Sequence, residues 1–252
     1  MGAQVTIERS GAVAVLRLDR PPANAIDLEF ATELGAAFAS LASEAEVRAI
    51  VVTGTGKFFS AGLDLKRVPS YGREQQKAMV TTINRTIAQM YACRKPVIGA
   101  INGHAIAGGL IVALACDYRV GTSARCQLGV TEARAGIAFP ALAMAVLQAE
   151  LDPRAARVLT LRARNVDPPA ALALGVVDEL QAPYRVLPAA VGVANDFAGI
   201  PADAYAQVKH QLRGPTISFM EETLAKGSDP LLESWLTSET TAAAASLLRE
   251  KH

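Results

Sequence analysis

Cysteine is scarce in this chain. Cys93, Cys116 and Cys126 are the only three, an odd number with no CxxC spacing. That argues against a disulfide framework or a zinc site and fits a reducing, cytoplasmic compartment. Histidine is equally sparse, with His104, His210 and His252 alone. There is no HExxH, no GxSxG, no GxGxxG after a strand and no GxxxxGK[ST]. The stretch GHAIAGG at 103–109 begins like the last of these but lacks the lysine. A serine triad would have to use His104 or His210, and neither sits in a supporting motif. An excess of charge of one sign is missing too: 25 basic residues face 24 acidic ones, for a net charge of +1. No nucleic-acid surface is expected from that balance. The segment MGAQVTIERS has no apolar centre of a secretory signal. No apolar run reaches membrane-spanning length; the richest, Leu110–Cys116, is bounded by Gly109 and Asp117. Neither a metal nor a membrane partner is expected.

What is present is a chain of 252 residues, 51% apolar, enough for a sizeable core. Val5 and Ile7 alternate with polar neighbours, and Val13, Val15, Leu16 and Leu18 follow Ser10-Gly11, which predicts a β-hairpin. Asp27 is an N-cap candidate for a helix carrying Phe30, Leu34, Phe38 and Leu41 at helical spacing. Buried strands are predicted at 49–53 and 97–101, helices at 74–93 and 107–116, and further strands at 118–120 and 127–129. This alternation predicts an α/β layered core with crossover connections. Beyond Pro140 helices dominate, interrupted by one short strand at Val176-Val177, and Pro188, Pro201, Pro215 and Pro230 punctuate the rest. The expected division is an α/β core over residues 1–195 and a helical region over 196–252.

Two segments share one local logic. Ile50–Thr53 leads to FSAGLDL at 59–65, and Val97–Asn102 leads to GHAIAGG at 103–109. In each, a buried strand runs into a small-residue turn. Free N–H groups at such turns attract anions, and glycine lets a ligand approach the backbone. Side by side, two turns would aim two donors at one oxygen, as an oxyanion hole does. The alternative is that the glycines serve only close packing, and spacing alone leaves both open.

FSAGLDL, followed by INGHAIAGGLIVALACDYRV at 101–120, resembles the enoyl-CoA hydratase/isomerase (crotonase) superfamily. The resemblance runs from PPANAIDL at 21–28 to Leu180. It implies a crotonase-like spiral of ββα units with C-terminal helices that build a homotrimer or a hexamer of paired trimers. It implies an acyl-CoA substrate, with the CoA thioester as reactant and no separate cofactor. By position, Leu63 and Gly108 supply the oxyanion N–H groups. Asn24-Ala25-Ile26 corresponds to the loop bordering CoA, and Ala61 and Leu65 to the stretch around adenine and pantetheine, where backbone makes most contacts. Asp64 is a further substrate-side candidate, although capping the segment after the turn is its simpler role.

The acid–base residues decide the reaction. Hydratases of this superfamily use two glutamates. The first position is occupied here by Ile111, which transfers no proton; the second is Glu132, in LGVTEARAGI. Hydration has to position water and deliver a proton to C2, whereas moving a double bond from C3 to C2 needs one base. An apolar pocket, with Ile111 contributing to it, would raise the Glu132 pKa toward working pH. The local text looks closest to the mitochondrial-type Δ3,Δ2-enoyl-CoA isomerases. The leading expectation is therefore an enoyl-CoA isomerase with Glu132 as base. A one-glutamate hydratase, another crotonase-type reaction and a silent acyl-CoA-binding protein are the alternatives. Lys57, Lys66, Arg67, Lys209 and Lys226 are candidates for CoA phosphates, with solvated charge as the simpler reading. His104 is read as a satisfied turn residue and Trp235 as helix packing.

Overall fold

A computed structural model describes residues 3–136, 138–227 and 229. The hairpin forms as β1 (Val5–Ser10) and β2 (Val13–Leu18), paired antiparallel. From β2 the sheet continues in parallel through β3 (Ala49–Gly54), β5 (Val97–Ile101), β7 (Tyr118–Thr122) and β9 (Glu179–Gln181), in the order β1-β2-β3-β5-β7-β9. A second, smaller sheet holds β4 (Phe58–Ser60), β6 (His104–Ile106) and β8 (Leu128–Gly129), all parallel.

The chain therefore lays one strand in the large sheet, one in the small sheet, then a helix, and repeats. β3 and β4 are followed by α2 (Arg73–Tyr91); β5 and β6 by α3 (Gly108–Leu114); β7 and β8 by a 3-10 turn at Glu132–Ala135 and α4 (Ala141–Glu150). This is the ββα succession that the resemblance implied. Before it, α1 (Leu28–Ser43) starts at Asp27, whose carboxylate accepts from Phe30 N–H, and buries Phe30, Leu34, Phe38 and Leu41.

The middle of the large sheet is covered on both faces, which is why β3 and β5 read as unbroken apolar runs, whereas the edge strands β1 and β9 are exposed or half-buried. Leu16, Ile50, Val52 and Ile101 face the main core with α1 and α3. Val15, Val51, Ile98 and Val120 face the other way, against Val186, Ala190 and Ala194 of α7 (Val186–Ala198). The expected division at residue 195 falls inside this helix. The last helix described, α8 (Ala202–Ala225), is bound to the core by ion pairs. Lys209 and Arg213 both meet Asp117, at 2.8 Å each, and Arg213 also meets Glu150 at 2.9 Å.

Three expectations need correction. Val176 and Val177 form no strand. Gly175 ends α6 (Pro168–Ala173) with φ +67°, and Val176 N–H donates to Ala171 O while Gly175 N–H donates to Leu172 O. That glycine-terminated cap commits the Val176 backbone to the helix end, so the sheet strand begins only at Glu179. Pro188 does not interrupt α7; it lies in the first turn, where its missing N–H is not needed. Pro215 does not end a helix either; α8 runs through it, held on either side by buried Arg213, Ile217 and Met220. Trp235 and Pro230 lie outside the described residues. Among the described residues no helix is long and apolar enough to cross a membrane, and no group of three or more His, Cys, Asp or Glu is placed to hold a metal ion.

Candidate active site

Parallel strands present their carboxyl ends on one edge, and the small sheet does so three times over. Leu63 lies three residues beyond the end of β4, Gly108 two beyond the end of β6, and Glu132 three beyond the end of β8. Ligands in parallel sheets commonly bind at such an edge. The three residues singled out for chemistry thus hang from three adjacent strands, one from each ββα unit.

The first two sites touch through their backbones. Gly62 has φ +78°, and a Cβ placed on it would stand 2.8 Å from the Ala107 Cβ and 3.0 Å from Gly108 N. One turn later a Cβ on Gly109 would stand 2.3 Å from Ser60 O. Glycine is required at both positions by contact with the neighbouring turn. Close packing, one of the two readings left open, is therefore real, but it does not account for the donors. Ile26 and Leu63 form an isolated parallel bridge, in which Ile26 N–H donates to Gly62 O at 2.6 Å and Asp64 N–H to Ile26 O at 2.8 Å. A parallel bridge uses the groups flanking Leu63, so the Leu63 N–H turns to the opposite side. Neither Leu63 N–H nor Gly108 N–H has an acceptor among the described residues.

Ala107 sets the direction of Gly108. Its φ of 54° with ψ of −131° is a conformation that L-residues rarely adopt. Its N–H donates to Gly129 O at 2.7 Å, so the residue before Gly108 is bonded to the strand that leads into Glu132.

Glu132 opens the 3-10 turn. The residue as a whole is half-buried, yet its Oε2 is buried with no hydrogen-bond partner. Burial pushes the Glu132 carboxyl up to about 7, against a small opposing effect of its own backbone N–H. A buried carboxylate without a partner is costly, and groups of this kind cluster at sites of function. The turn is anchored two residues on by Arg134, which donates to Ala163 O at 2.8 Å and to Arg162 O at 3.2 Å. Ile111, at the other carboxylate position, is 1% exposed in the main core.

Ala25 and Ala61 are half-buried beside the bridge, and Ala61 N–H donates to Ala23 O. Leu65 is also half-buried. Asp64 accepts from the N–H groups of Lys66 and Arg67 and from Arg20, the capping role given to it from sequence. Burial opposes its charge, but the bonds from Arg20 and Lys66 N–H outweigh it and hold the carboxyl below its ordinary range. Of the basic candidates, Lys57, Lys66 and Lys226 are exposed, Arg67 is tied to Asp27 and Glu29, and Lys209 is buried against Asp117. His104 is placed in β6, accepting from Gln127 N–H and lying 4.8 Å from the Phe58 ring, so the satisfied role holds. Sequence reading passed over Arg20 and Arg134, and it placed Asn24 in the loop bordering CoA without giving it a bracing role. Asn24, with φ 50°, is fully buried and donates to Phe58 O and Phe59 O, pinning its loop to β4. Its place directly before the Ala25-Ile26 pair was the available signal.

A family model described as enoyl-CoA hydratase/isomerase matches residues 8–245. A Thermus thermophilus protein that bears a provisional enoyl-CoA hydratase name is 37% identical over 198 residues, covering 77% of each chain. The carnitinyl-CoA dehydratase of Salmonella arizonae is 30% identical over 223 residues, 88% of this chain and 85% of that one. The crystal structure of human mitochondrial delta3-delta2-enoyl-CoA isomerase superposes with a TM-score of 0.93 at 26% identity, covering 98% of both chains. The chain belongs to the enoyl-CoA hydratase/isomerase family.

Proposed function

We propose that this protein isomerises 3-enoyl-CoA thioesters to 2-enoyl-CoA, with Glu132 as its single base. The N–H groups of Leu63 and Gly108 receive the thioester oxygen. That pull makes a C2 proton removable, and the Glu132 carboxylate takes it. The electron pair spreads over C2, C4 and the oxygen as a dienolate. The Glu132 carboxyl then returns the proton to C4, and the double bond ends between C2 and C3, conjugated with the carbonyl. No group other than the thioester is consumed, and no cofactor enters. Each oxyanion donor is worth about 3 kcal/mol in comparable sites. The observation that carries this reading is the buried, unpartnered Glu132 Oε2, on a carboxyl raised to about 7, in a chain whose other carboxylate position is Ile111. A base that shuttles one proton wants a pKa near neutrality.

Hydration of 2-enoyl-CoA is the second reading, favoured by the hydratase name of the Thermus relative. Ultraviolet absorbance separates the two. With a 3-enoyl-CoA, isomerisation raises the absorbance of the conjugated thioester, and Glu132→Gln abolishes the rise. Loss of absorbance from a 2-enoyl-CoA, with no response to the 3-enoyl isomer, would replace isomerisation by hydration. The assembly that goes with this function is a homotrimer or a pair of trimers. Its support is the row of exposed Val208, Leu212 and Phe219 on one side of α8, and the mass in solution tests it.

A further inference from the structure

Leu63 carries a donor whose direction matters, yet it lies beyond the last residue of β4 and has no sheet ladder to hold it. It follows Gly62, the residue type with the least conformational preference, here at φ +78°. Only the two hydrogen bonds to Ile26 define the local strand. Something has to remove the freedom that the glycine introduces.

Arg20 is placed to do so. Its Nη1 donates to Ala25 O at 2.5 Å, and its Nη2 donates to Asp27 Oδ2 at 2.7 Å and to Asp64 Oδ2 at 2.9 Å. These acceptors flank Ile26 on both sides and follow Leu63 directly. One planar guanidinium thus spans both strands of the bridge. The side chain is 17% exposed and the Asp27 carboxylate is fully buried, so the three contacts are shielded from water. Asn24 already braces the same loop against β4, through Phe58 O and Phe59 O. Arg20 braces the other side, where the donor is. Three of its guanidinium hydrogen bonds go to protein acceptors.

We infer that Arg20 is a positioning residue for the Leu63 N–H, fixing that donor's direction by bridging Ala25 O, Asp27 and Asp64 around the Ile26–Leu63 pair. The inference rests on the reading of Leu63 as an oxyanion donor.

A CoA thioester of an aromatic cinnamic acid tests it, because its absorption maximum moves to longer wavelength as its carbonyl is polarised. Wild type should shift the bound probe to the red. Arg20→Gln should lose at least half of that shift, as an approximate threshold, while the probe's Kd changes less than about threefold and kcat falls by about 10- to 100-fold, short of deleting a donor outright. Arg20→Lys, which keeps the charge but not the planar span, should recover only part of the shift. Asp64→Asn weakens the same bridge while keeping an oxygen for Lys66 and Arg67 N–H. It should reproduce the partial loss, and it serves in place of Arg20→Gln if that chain does not fold. A full shift and unchanged kcat in folded Arg20→Gln, or in folded Asp64→Asn if that variant stands in, would overturn the role of Arg20 alone. A wild-type protein that binds the probe without any shift would overturn the oxyanion reading, and the positioning role with it.

Discussion

Glu132 is held where its charge is unwelcome, and that has consequences beyond catalysis. With a folded-state value of about 7 against an ordinary 4.5, the folded protein binds a proton at Glu132 that the unfolded chain releases. The associated stability is fully present below pH 4.5 and is lost as pH rises through 7. Glu132→Gln removes that penalty. At pH 8.5 the variant should be more stable than wild type by about 3 kcal/mol, on the order of 10 °C in Tm at this chain length. At pH 4 the two should melt together. Thermal melts at the two pH values check this, and equal melts at both would mean that the carboxylate finds water or a partner. The activity should follow the opposite course, rising with pH through about 7 as the base form fills.

Among the elements, the joint between the two turns is the most constrained. Gly62 and Ala107 face each other across it and should respond to mutation with opposite signs. Gly62→Ala adds a methyl where the Ala107 Cβ already stands, at a positive φ. It should lower kcat/KM by at least about 100-fold, comparable with loss of an oxyanion donor. Ala107→Gly relieves a rare conformation worth about 1–3 kcal/mol, less the added chain entropy of glycine. It should raise the unfolding free energy by about 1 kcal/mol and the denaturation midpoint with it. Steady-state kinetics and denaturant titration read the pair.

The elements also show how far the sequence was legible. The hairpin, α1 and the crossover alternation followed from periodicity and from Asp27, because these depend on neighbours within a few positions. The strand at Glu179–Gln181 did not. Its side chains are only half-buried, and the more apolar Val176-Val177 is taken by the cap of α6. The proline-based break at 188 failed because that residue falls in a first helical turn, and the one at 215 because tertiary contacts outweigh propensity. For the site, the glycine turns were visible as turns. Which N–H groups were left without acceptors came only from the resemblance and not from the local pattern, since for Leu63 it depends on the bridge from Ile26. The Arg20–Asp64 contact joins residues 44 positions apart and left no local mark.

Across the whole molecule, the attachment of α8 depends on charge inside the core. Asp117 also accepts from Val97 N–H and Tyr205 O–H, and Arg213 lies 4.0 Å over the Tyr91 ring and donates to Cys116 O. Asp117→Asn would leave the buried Lys209 charge uncompensated and Arg213 with Glu150 alone, a loss of about 3–5 kcal/mol. Amide exchange of α8 should accelerate first, before that of the strands. Uniform acceleration would show that helix and sheet open as one unit.

The succession of ββα units has one more implication. The two donors and the carboxyl arrive on three separate connections, each a few residues past its own short strand. On the proposed function, lengthening or recoding the 130–136 turn would exchange the acid–base chemistry while the grip on the thioester oxygen stays as it is. Reaction type and substrate activation can therefore drift independently, and a scaffold of this kind is suited to acquiring new chemistry one loop at a time.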